Sequence, residues 1–95
     1  MANYEVMFII DPALEEEQQN AALETVKGII ADNGTLGEVD DWGMRKLAYP
    51  IRKKKEGHYV VIPFQAEPDM PKELDRRLRI SDAIMRHIIV NTEEK

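Results

Sequence analysis

The order in which strand patterns and helix patterns follow one another constrains the fold of this 95-residue chain more than any other feature. Residues 3–10 are rich in β-branched and aromatic side chains and predict a strand. Residues 35–50 and 58–64 predict two further strands, which a turn at 51–56 joins as a hairpin. Residues 83–91 predict a last strand. A helix pattern lies on each side of the hairpin.

The first helix pattern directly follows the first strand. Asp11 predicts an N-terminal cap, Pro12 suits the first helical position, and Asn33-Gly34 predicts a left-handed stop. Between these ends, apolar residues recur at a spacing of about 3.6 residues, which is typical of a helix with one buried face. The residues of this predicted buried stripe are Leu14, Ala22, Leu23, Val26, Ile29 and Ile30.

A second helix pattern precedes the last strand, with Asp69 as its predicted cap, Pro71 in its first turn, and Leu74 and Leu78 on its apolar face. The resulting order, β-α-β-β-α-β, is that of the ferredoxin-like split βαβ arrangement. Right-handed crossovers place both helices on one face of a four-stranded antiparallel sheet, with the first and third strands at its centre. We therefore predict an α+β fold, with one ferredoxin-like domain over residues 1–95 and a frayed end from about residue 92.

Three local features predict departures from regular strand pairing. Residues 40–43, which read Asp-Asp-Trp-Gly, interrupt the alternation of the second strand as a bulge does. Gly57 is able to adopt a positive φ near the hairpin turn. Pro63 has no N–H group, so its position in the ladder should be a bulge or an outward-facing edge.

The sheet face that points away from the helices is predicted to be open and apolar at its centre. Alternation places Met7 and Ile9 of the first strand on this face, together with Tyr59 and Val61 of the third. A contiguous apolar surface of this kind suits a partner that covers it.

Charge is distributed unevenly along the chain, whose formal net charge is -5. Residues 1–41 contain ten acidic side chains and one basic one, whereas residues 42–95 contain twelve basic and eight acidic. This asymmetry predicts a bipolar surface with one region suited to an anionic partner, although ordinary helical surface charge also produces it. The chain has no cysteine, which excludes a disulfide framework and a thiolate metal site. Its N-terminal apolar run is too short for a signal peptide or a membrane span, and we predict a soluble cytoplasmic protein.

The chain offers few groups for catalysis. A nucleophile and base would have to be Ser81 or a threonine with His58 or His87, and no flanking motif supports either pair. Asp40 and Asp41 point to opposite faces of an extended strand, which makes a poor two-carboxylate site. The glycines form no loop that cradles a phosphate. We therefore predict a non-enzymatic protein without a cofactor or a metal.

The predicted hairpin concentrates positive charge among aromatic residues. Tyr49 and Tyr59 lie on its two arms, Trp42 lies near its beginning, and six cations lie within residues 45–55: Arg45, Lys46, Arg52, Lys53, Lys54 and Lys55. Cations pair with phosphate groups and flat rings stack on unpaired bases, so the mixture favours RNA as the ligand. The same lysines also suit a solvated turn that keeps an edge strand from aggregating. On these residues alone, both interpretations remain open.

Three segments together resemble a known family: "NYEVMFIIDP" at 3–12, "WGMRKLAYPIRKKKEGHYV" at 42–60 and "LRISDAIMRHIIV" at 78–90. In order and spacing they resemble bacterial small-subunit ribosomal protein six over nearly the whole chain. The resemblance implies a structural protein of the small ribosomal subunit. It further implies binding to the central domain of the small-subunit ribosomal RNA, as a heterodimer with small-subunit ribosomal protein eighteen.

The resemblance also implies which residues bind. RNA contacts are expected at Tyr4, Arg45, Lys46, Tyr49, Arg52, Lys53, Lys54, Lys55 and Arg86, and contacts with the partner protein at Trp42, Met44, Leu47 and Tyr59. The chain departs from the family at Asn3, where many members carry a basic residue or a histidine, and at Pro63, where the family pattern is usually free of proline.

Two other functions share this topology. A regulatory domain that binds a small molecule would need a glycine-rich turn after the first strand, and the sequence there is "DPAL". An acylphosphatase-like enzyme would need an arginine in the same loop, which has none. The regulatory domain is the alternative to the ribosomal interpretation.

Overall fold

The structure is a computed structural model that describes residues 2–51 and 53–92. Within these ranges the elements are β1 (Ala2–Ile10), α1 (Glu16–Asn33), β2 (Gly34–Leu36), β3 (Asp40–Ile51), β4 (Lys54–Ala66), α2 (Met70–Arg79) and β5 (Ile84–Asn91). The fraying predicted from about residue 92 falls mainly on residues 93–95, which lie outside the described residues. Arg52 also lies outside them.

The five strands of the described ranges form one antiparallel sheet in the order β2-β4-β1-β5, and β3 pairs with the same edge of β4 as β2 does. Strand β1 pairs along its whole length with β4, from Ala2 opposite Ala66 to Ile10 opposite His58, and its other edge pairs with β5. The predicted α+β, ferredoxin-like fold is confirmed, with the predicted first and third strands, β1 and β4, at the centre.

The hydrophobic core lies between the sheet and the two helices. Val6, Phe8 and Ile10 of β1 are completely buried on this side. The helices contribute their apolar faces to the same cluster, mainly through Val26, Ile30, Leu74 and Leu78. The opposite face of the sheet has no helix against it in the described part of the chain, and the hairpin formed by β3 and β4 extends over one part of it.

The strand predicted at 35–50 is divided into β2 and β3, and Pro63 lies opposite the break. In the connecting segment, the Gly37 N–H donates to the Pro63 carbonyl oxygen at 2.8 Å. The N–H and C=O of one strand residue face the same neighbour, so the ring nitrogen of Pro63 also faces this segment. The missing donor therefore lies where the ladder along β4 is interrupted, in agreement with the prediction.

The prediction for the start of the first helix is wrong. Helix α1 begins at Glu16, with Glu15 as the N-cap, and the Glu15 N–H donates to the side-chain oxygen of Gln18 at 3.2 Å. The Asp11 carboxylate instead accepts a hydrogen bond from the Ala13 N–H at 2.9 Å. An N-cap residue makes the same bond to its N2 position, but here it accompanies a single turn, in which the Leu14 N–H donates to the Asp11 carbonyl oxygen at 3.3 Å. The helical ladder begins later, where the Gln19 N–H donates to the Glu15 carbonyl oxygen at 2.9 Å.

The predicted left-handed conformations at Gly34 and Gly57 are also wrong. Gly34 has a φ of -173°, which is extended, because the chain passes directly from α1 into β2. Among the described residues, positive φ values occur at Gly43 (71°) and Lys53 (64°). The predicted bulge near the start of β3 is confirmed, since the β3–β4 register shifts between Asp41 and Gly43.

Helix α2 begins where it was predicted. Asp69 occupies the N-cap, and Pro71 lies in the first turn, where a missing N–H removes no helical hydrogen bond. In the described part of the chain, neither helix combines the length and the apolar character that crossing a membrane requires.

Candidate nucleic-acid interface

The β3–β4 hairpin presents its cations in several directions. Arg45 and Lys46 are consecutive in β3, so their side chains point to opposite faces of the sheet. Both are exposed, as are Lys53 and Lys55 near the tip. The predicted contact Arg52 lies outside the described residues. The tip and the β3 arm therefore form a basic surface that is not confined to one face of the sheet.

Lys54 is placed differently from its neighbours. Its ammonium nitrogen lies 3.2 Å from a carboxylate oxygen of Asp11, in the loop after β1, and both side chains are mostly buried. The ion pair links the start of β4 to this loop. Because Asp11 already neutralises the ammonium group, Lys54 has less charge to offer a phosphate than Lys53 or Lys55 does.

The bulge at the start of β3 positions Trp42 against Tyr59. The rings are nearly parallel, with an interplanar angle of 8° and centroids 6.3 Å apart. The guanidinium carbon of Arg45 lies 6.0 Å from the Trp42 ring centroid, and the indole N–H donates to Asp40 at 2.9 Å. Left-handed backbone at Gly43 makes this bulge possible, since most other residues are strained there. Trp42 is thus held at a defined position and remains 43% exposed.

Tyr49 and Arg86 meet across the open face of the sheet. The Arg86 guanidinium carbon lies 5.4 Å from the Tyr49 ring centroid, within the range of cation–π attraction. Arg86 belongs to β5 and Tyr49 to β3, and strands β1 and β4 lie between them. Three strand spacings of about 4.8 Å put those backbones roughly 14 Å apart, so both long side chains reach inward over the sheet. Tyr49 stays 51% exposed.

The open face below this pair is apolar at its centre, as predicted. Met7 pairs in register with Val61, and Ile9 with Tyr59, which places all four on one face. Ile9 and Val61 are only 7% exposed although they point away from the helices. Ile88 and Val90 of β5 lie on the same face and are exposed. The hairpin side of this face is therefore covered, and the β5 side is open.

Both histidines point toward the helices. The His58 ring lies 2.9 Å from the Gln19 side-chain oxygen and 2.6 Å from Asp41, and so links α1 to β3. The ring of His87, in β5, donates to Asp75 of α2 at 2.6 Å. This hydrogen bond, helped by the positive charge of Arg79, lowers the pKa of Asp75 below its ordinary value. Both rings are occupied by contacts that link strands to helices.

Comparison with known proteins identifies the family. The sequence profile described as "Ribosomal protein S6" matches residues 3–91. This chain belongs to the ribosomal protein S6 family. It is 50% identical over 95 residues to small ribosomal subunit protein bS6 of Clostridium novyi (strain NT), covering 99% of this chain and 100% of that protein. It is 52% identical to the bS6 protein of Clostridium kluyveri (strain NBRC 12016), with the same coverage.

A solved structure of the S6 family has the same fold. The crystal structure of 30S ribosomal protein S6 from Thermotoga maritima superposes with a TM-score of 0.90 at 38% identity, covering 95% of this chain and 86% of that one. The predicted family is therefore confirmed. Membership makes the chain a ribosomal protein of the small subunit, and a structural protein rather than an enzyme. This result favours the ribosomal interpretation over the regulatory domain.

In this S6-family chain, the predicted site residues do not form one cluster. Tyr4 stacks on Phe64, with ring centroids 5.6 Å apart, near the end of β1 that is remote from the hairpin tip. Met44 lies opposite His58 on the helix side of β3 and is 50% exposed, whereas Leu47 lies near Gly57 and is half-buried. The structure thus brings Trp42, Arg45 and Tyr59 together, and separately Tyr49 and Arg86, while Tyr4 stands apart.

Two residues that shape this surface were not predicted to do so. Ile9 was assigned only to the open face, and Gly57 was assigned to a turn conformation that it does not adopt. A sequence signal for Gly57 did exist: a glycine inside a strand marks a place where another group approaches the backbone closely. The approaching group is the side chain of Ile9.

Proposed function

We propose that the chain binds the central domain of the small-subunit ribosomal RNA, and that it does so as a heterodimer with small-subunit ribosomal protein eighteen. The observation that carries this proposal is the exposed Tyr49 ring, braced by Arg86 and flanked by the basic hairpin tip. Membership of a family of small-subunit ribosomal proteins supports RNA as the class of ligand.

The Tyr49–Arg86 pair suits an unpaired base. Arg86 holds the ring in one orientation, so less side-chain freedom is lost when a base stacks on the exposed ring. Stacking of one base on an aromatic side chain contributes about 1–3 kcal/mol. Lys53 and Lys55 are exposed at the neighbouring tip and are free of the Asp11 contact that holds Lys54, so they suit the flanking phosphates.

Four further residues complete the proposed RNA surface. Arg45 and Lys46 extend it along β3 with exposed cations. Arg52 is included from the sequence alone. Tyr4 is a separate, second contact, because it lies at the other end of β1.

The partner protein is proposed to dock along the β3 edge. This edge strand exposes Trp42 and Met44, and Leu47 and Tyr59 line the adjoining surface. An exposed strand edge with an aromatic anchor is a common docking site for another chain. A basic partner also has an electrostatic role, because the net charge of -5 opposes approach to RNA at long range.

Binding to an isolated central-domain RNA tests the proposal. The affinity of the chain for this RNA is measured with and without protein eighteen, using the unmodified chain, Tyr49→Ala and Arg86→Ala. We expect tight binding only with both proteins, and at least tenfold weaker binding for each variant. Arg76→Ala is a matched control, because Arg76 is an exposed arginine on α2 that pairs with Glu73. Equal affinity of all four chains would remove the Tyr49–Arg86 pair from the interface.

A further inference from the structure

The side chain of Ile9 rests directly on the backbone of Gly57. A Cβ atom added at Gly57 would lie 2.3 Å from Ile9 Cγ2, well inside the 3.0 Å that real Cβ contacts keep. Gly57 is buried and its φ is not positive, so the glycine is required for space and not for backbone conformation. The close approach lets β1 and the hairpin arm come together at this point.

Ile9 is also the centre of the surface over which the hairpin passes. Its register neighbours are Arg86 on the β5 side and Tyr59 on the β4 side. Leu47 of β3 reaches the same spot, with Cδ2 3.5 Å from the Cβ that Gly57 lacks. Side chains of β3 and β1 therefore meet above Gly57, which explains why Ile9 is nearly buried on an otherwise open face.

We propose that the Ile9–Gly57 contact positions the RNA-binding hairpin, by setting its tilt over the sheet so that Tyr49 rests on Arg86. This inference rests on the function proposed above and assigns Gly57 and Ile9 the role of positioning residues. Neither contacts the RNA; both act through the location of Tyr49.

The distances show why a small displacement matters. Gly57→Ala obliges Ile9 and the hairpin arm to separate until the new contact exceeds 3.0 Å, from 2.3 Å. The Arg86 guanidinium carbon lies 5.4 Å from the Tyr49 centroid, and cation–π attraction extends to about 6 Å. A displacement of the size that relieves the clash is therefore enough to weaken the pair and to leave Tyr49 without a fixed orientation.

Two measurements on Gly57→Ala test the inference. The first is the NMR ring-current shift that Tyr49 imposes on the side-chain protons of Arg86, with Tyr49→Ala defining its absence. The second is affinity for the central-domain RNA in the presence of protein eighteen. We expect Gly57→Ala to lose most of the ring-current shift and to bind at least fivefold more weakly. The control is Gly28→Ala, because a Cβ at Gly28 meets nothing within 4 Å, and we expect no change in either measurement.

A second-site variant separates positioning from general damage. Ile9→Ala/Gly57→Ala removes Cγ2 and with it the clash, so it should regain part of the ring-current shift and of the affinity lost by Gly57→Ala. If Gly57→Ala does not fold but the double variant does, the clash between Ile9 and the new Cβ is the cause. The ring-current shift and the RNA affinity are then compared between the double variant and Ile9→Ala.

The outcomes distinguish the inference from the proposed function. An unchanged Arg86 ring-current shift in Gly57→Ala overturns the inference, whatever the affinity of this variant for the RNA. A lost shift with full RNA affinity overturns it as well, because position would then not matter. Failure of the unmodified chain to bind the RNA overturns the proposed function, whereas the ring-current measurement still decides whether Gly57 positions Tyr49.

Discussion

Tyr49 of β3 and Arg86 of β5 form a cation–π pair across a sheet in which two other strands separate them. Three strand spacings separate the two backbones by roughly 14 Å, so the residues meet only because both side chains extend inward over the sheet. In our proposal, the Ile9–Gly57 contact sets the tilt of the hairpin that brings them together. The aromatic side chain that we propose as an RNA contact is in this way fixed by the body of the domain, although it belongs to an exposed hairpin.

The lysines of the hairpin tip should contribute unequally to RNA binding. Lys55→Ala should weaken binding and reduce the slope of log affinity against log salt by about 0.7, the value for one phosphate contact on a single strand. Lys54→Ala should change this slope less, because Asp11 already neutralises its ammonium group. Measuring the RNA affinity of both variants at several salt concentrations gives the two slopes. Equal slope changes would show that the Lys54–Asp11 pair opens when RNA binds.

Alternation along the strands was enough to predict which face of the sheet forms the core. Val6, Phe8 and Ile10 are buried as their period-2 spacing indicates, and the helices of the described ranges cover that face. The bulge before Gly43 was also predictable, because the residues that cause it are adjacent in the sequence. These features depend on short-range patterns alone.

Features that depend on residues distant in sequence were not predictable. The helix start was misplaced because Asp11 carries a cap signal as strong as that of the true start. Its carboxylate is used by a local turn and by Lys54, 43 residues away. The Tyr49–Arg86 pair was unpredictable for the same reason, since it joins β3 to β5 across two intervening strands. Only the family resemblance pointed to both residues.

Replacing Gly43 should destabilise the protein and release Trp42. Gly43→Ala places a side chain at a φ of 71°, which costs about 1–2 kcal/mol for a residue with a Cβ. The bulge should relax and the Trp42–Tyr59 stack should loosen. Urea unfolding measures the stability, and the fluorescence of Trp42, the one tryptophan in the chain, reports the stack. Gly28→Ala, within helix α1, should instead stabilise the protein slightly, because alanine favours a helix more than glycine does. A similar loss of unfolding free energy in both variants would contradict the role of the left-handed backbone at Gly43.

Stability should fall in acid partly through Asp75. The hydrogen bond from His87 lowers the pKa of this carboxyl group in the folded state below its ordinary value of 3.8. A lowered folded-state pKa contributes stability that is present above the ordinary value and is lost as the pH falls through the folded value. The free energy of unfolding of Asp75→Asn should therefore approach that of the unmodified chain below about pH 4. Urea unfolding at a series of pH values measures this difference.

Variants of the two groups near Asp75 provide the control. His87→Leu removes the larger cause of the lowered pKa and should flatten the pH dependence more than Arg79→Ala does. The opposite ranking would assign the shift to the charge of Arg79 rather than to the hydrogen bond.

The last prediction separates the two proposed surfaces. Trp42 is an exposed aromatic residue on the β3 edge, and such residues often dominate binding between proteins, with losses of about 2 kcal/mol or more on truncation. Trp42→Ala should therefore weaken the heterodimer with protein eighteen roughly thirtyfold, as measured by isothermal titration calorimetry without RNA. Trp42→Phe, which keeps a ring against Tyr59, should lose less.

Tyr49→Ala is the matched variant on the other surface. It should leave the heterodimer affinity unchanged and weaken only the later binding to RNA, because Tyr49 faces Arg86 over the sheet and not the outer edge of β3. If Trp42→Ala and Tyr49→Ala weaken the heterodimer by the same factor, the hairpin is one continuous protein interface, and the division into an RNA surface and a partner surface is wrong.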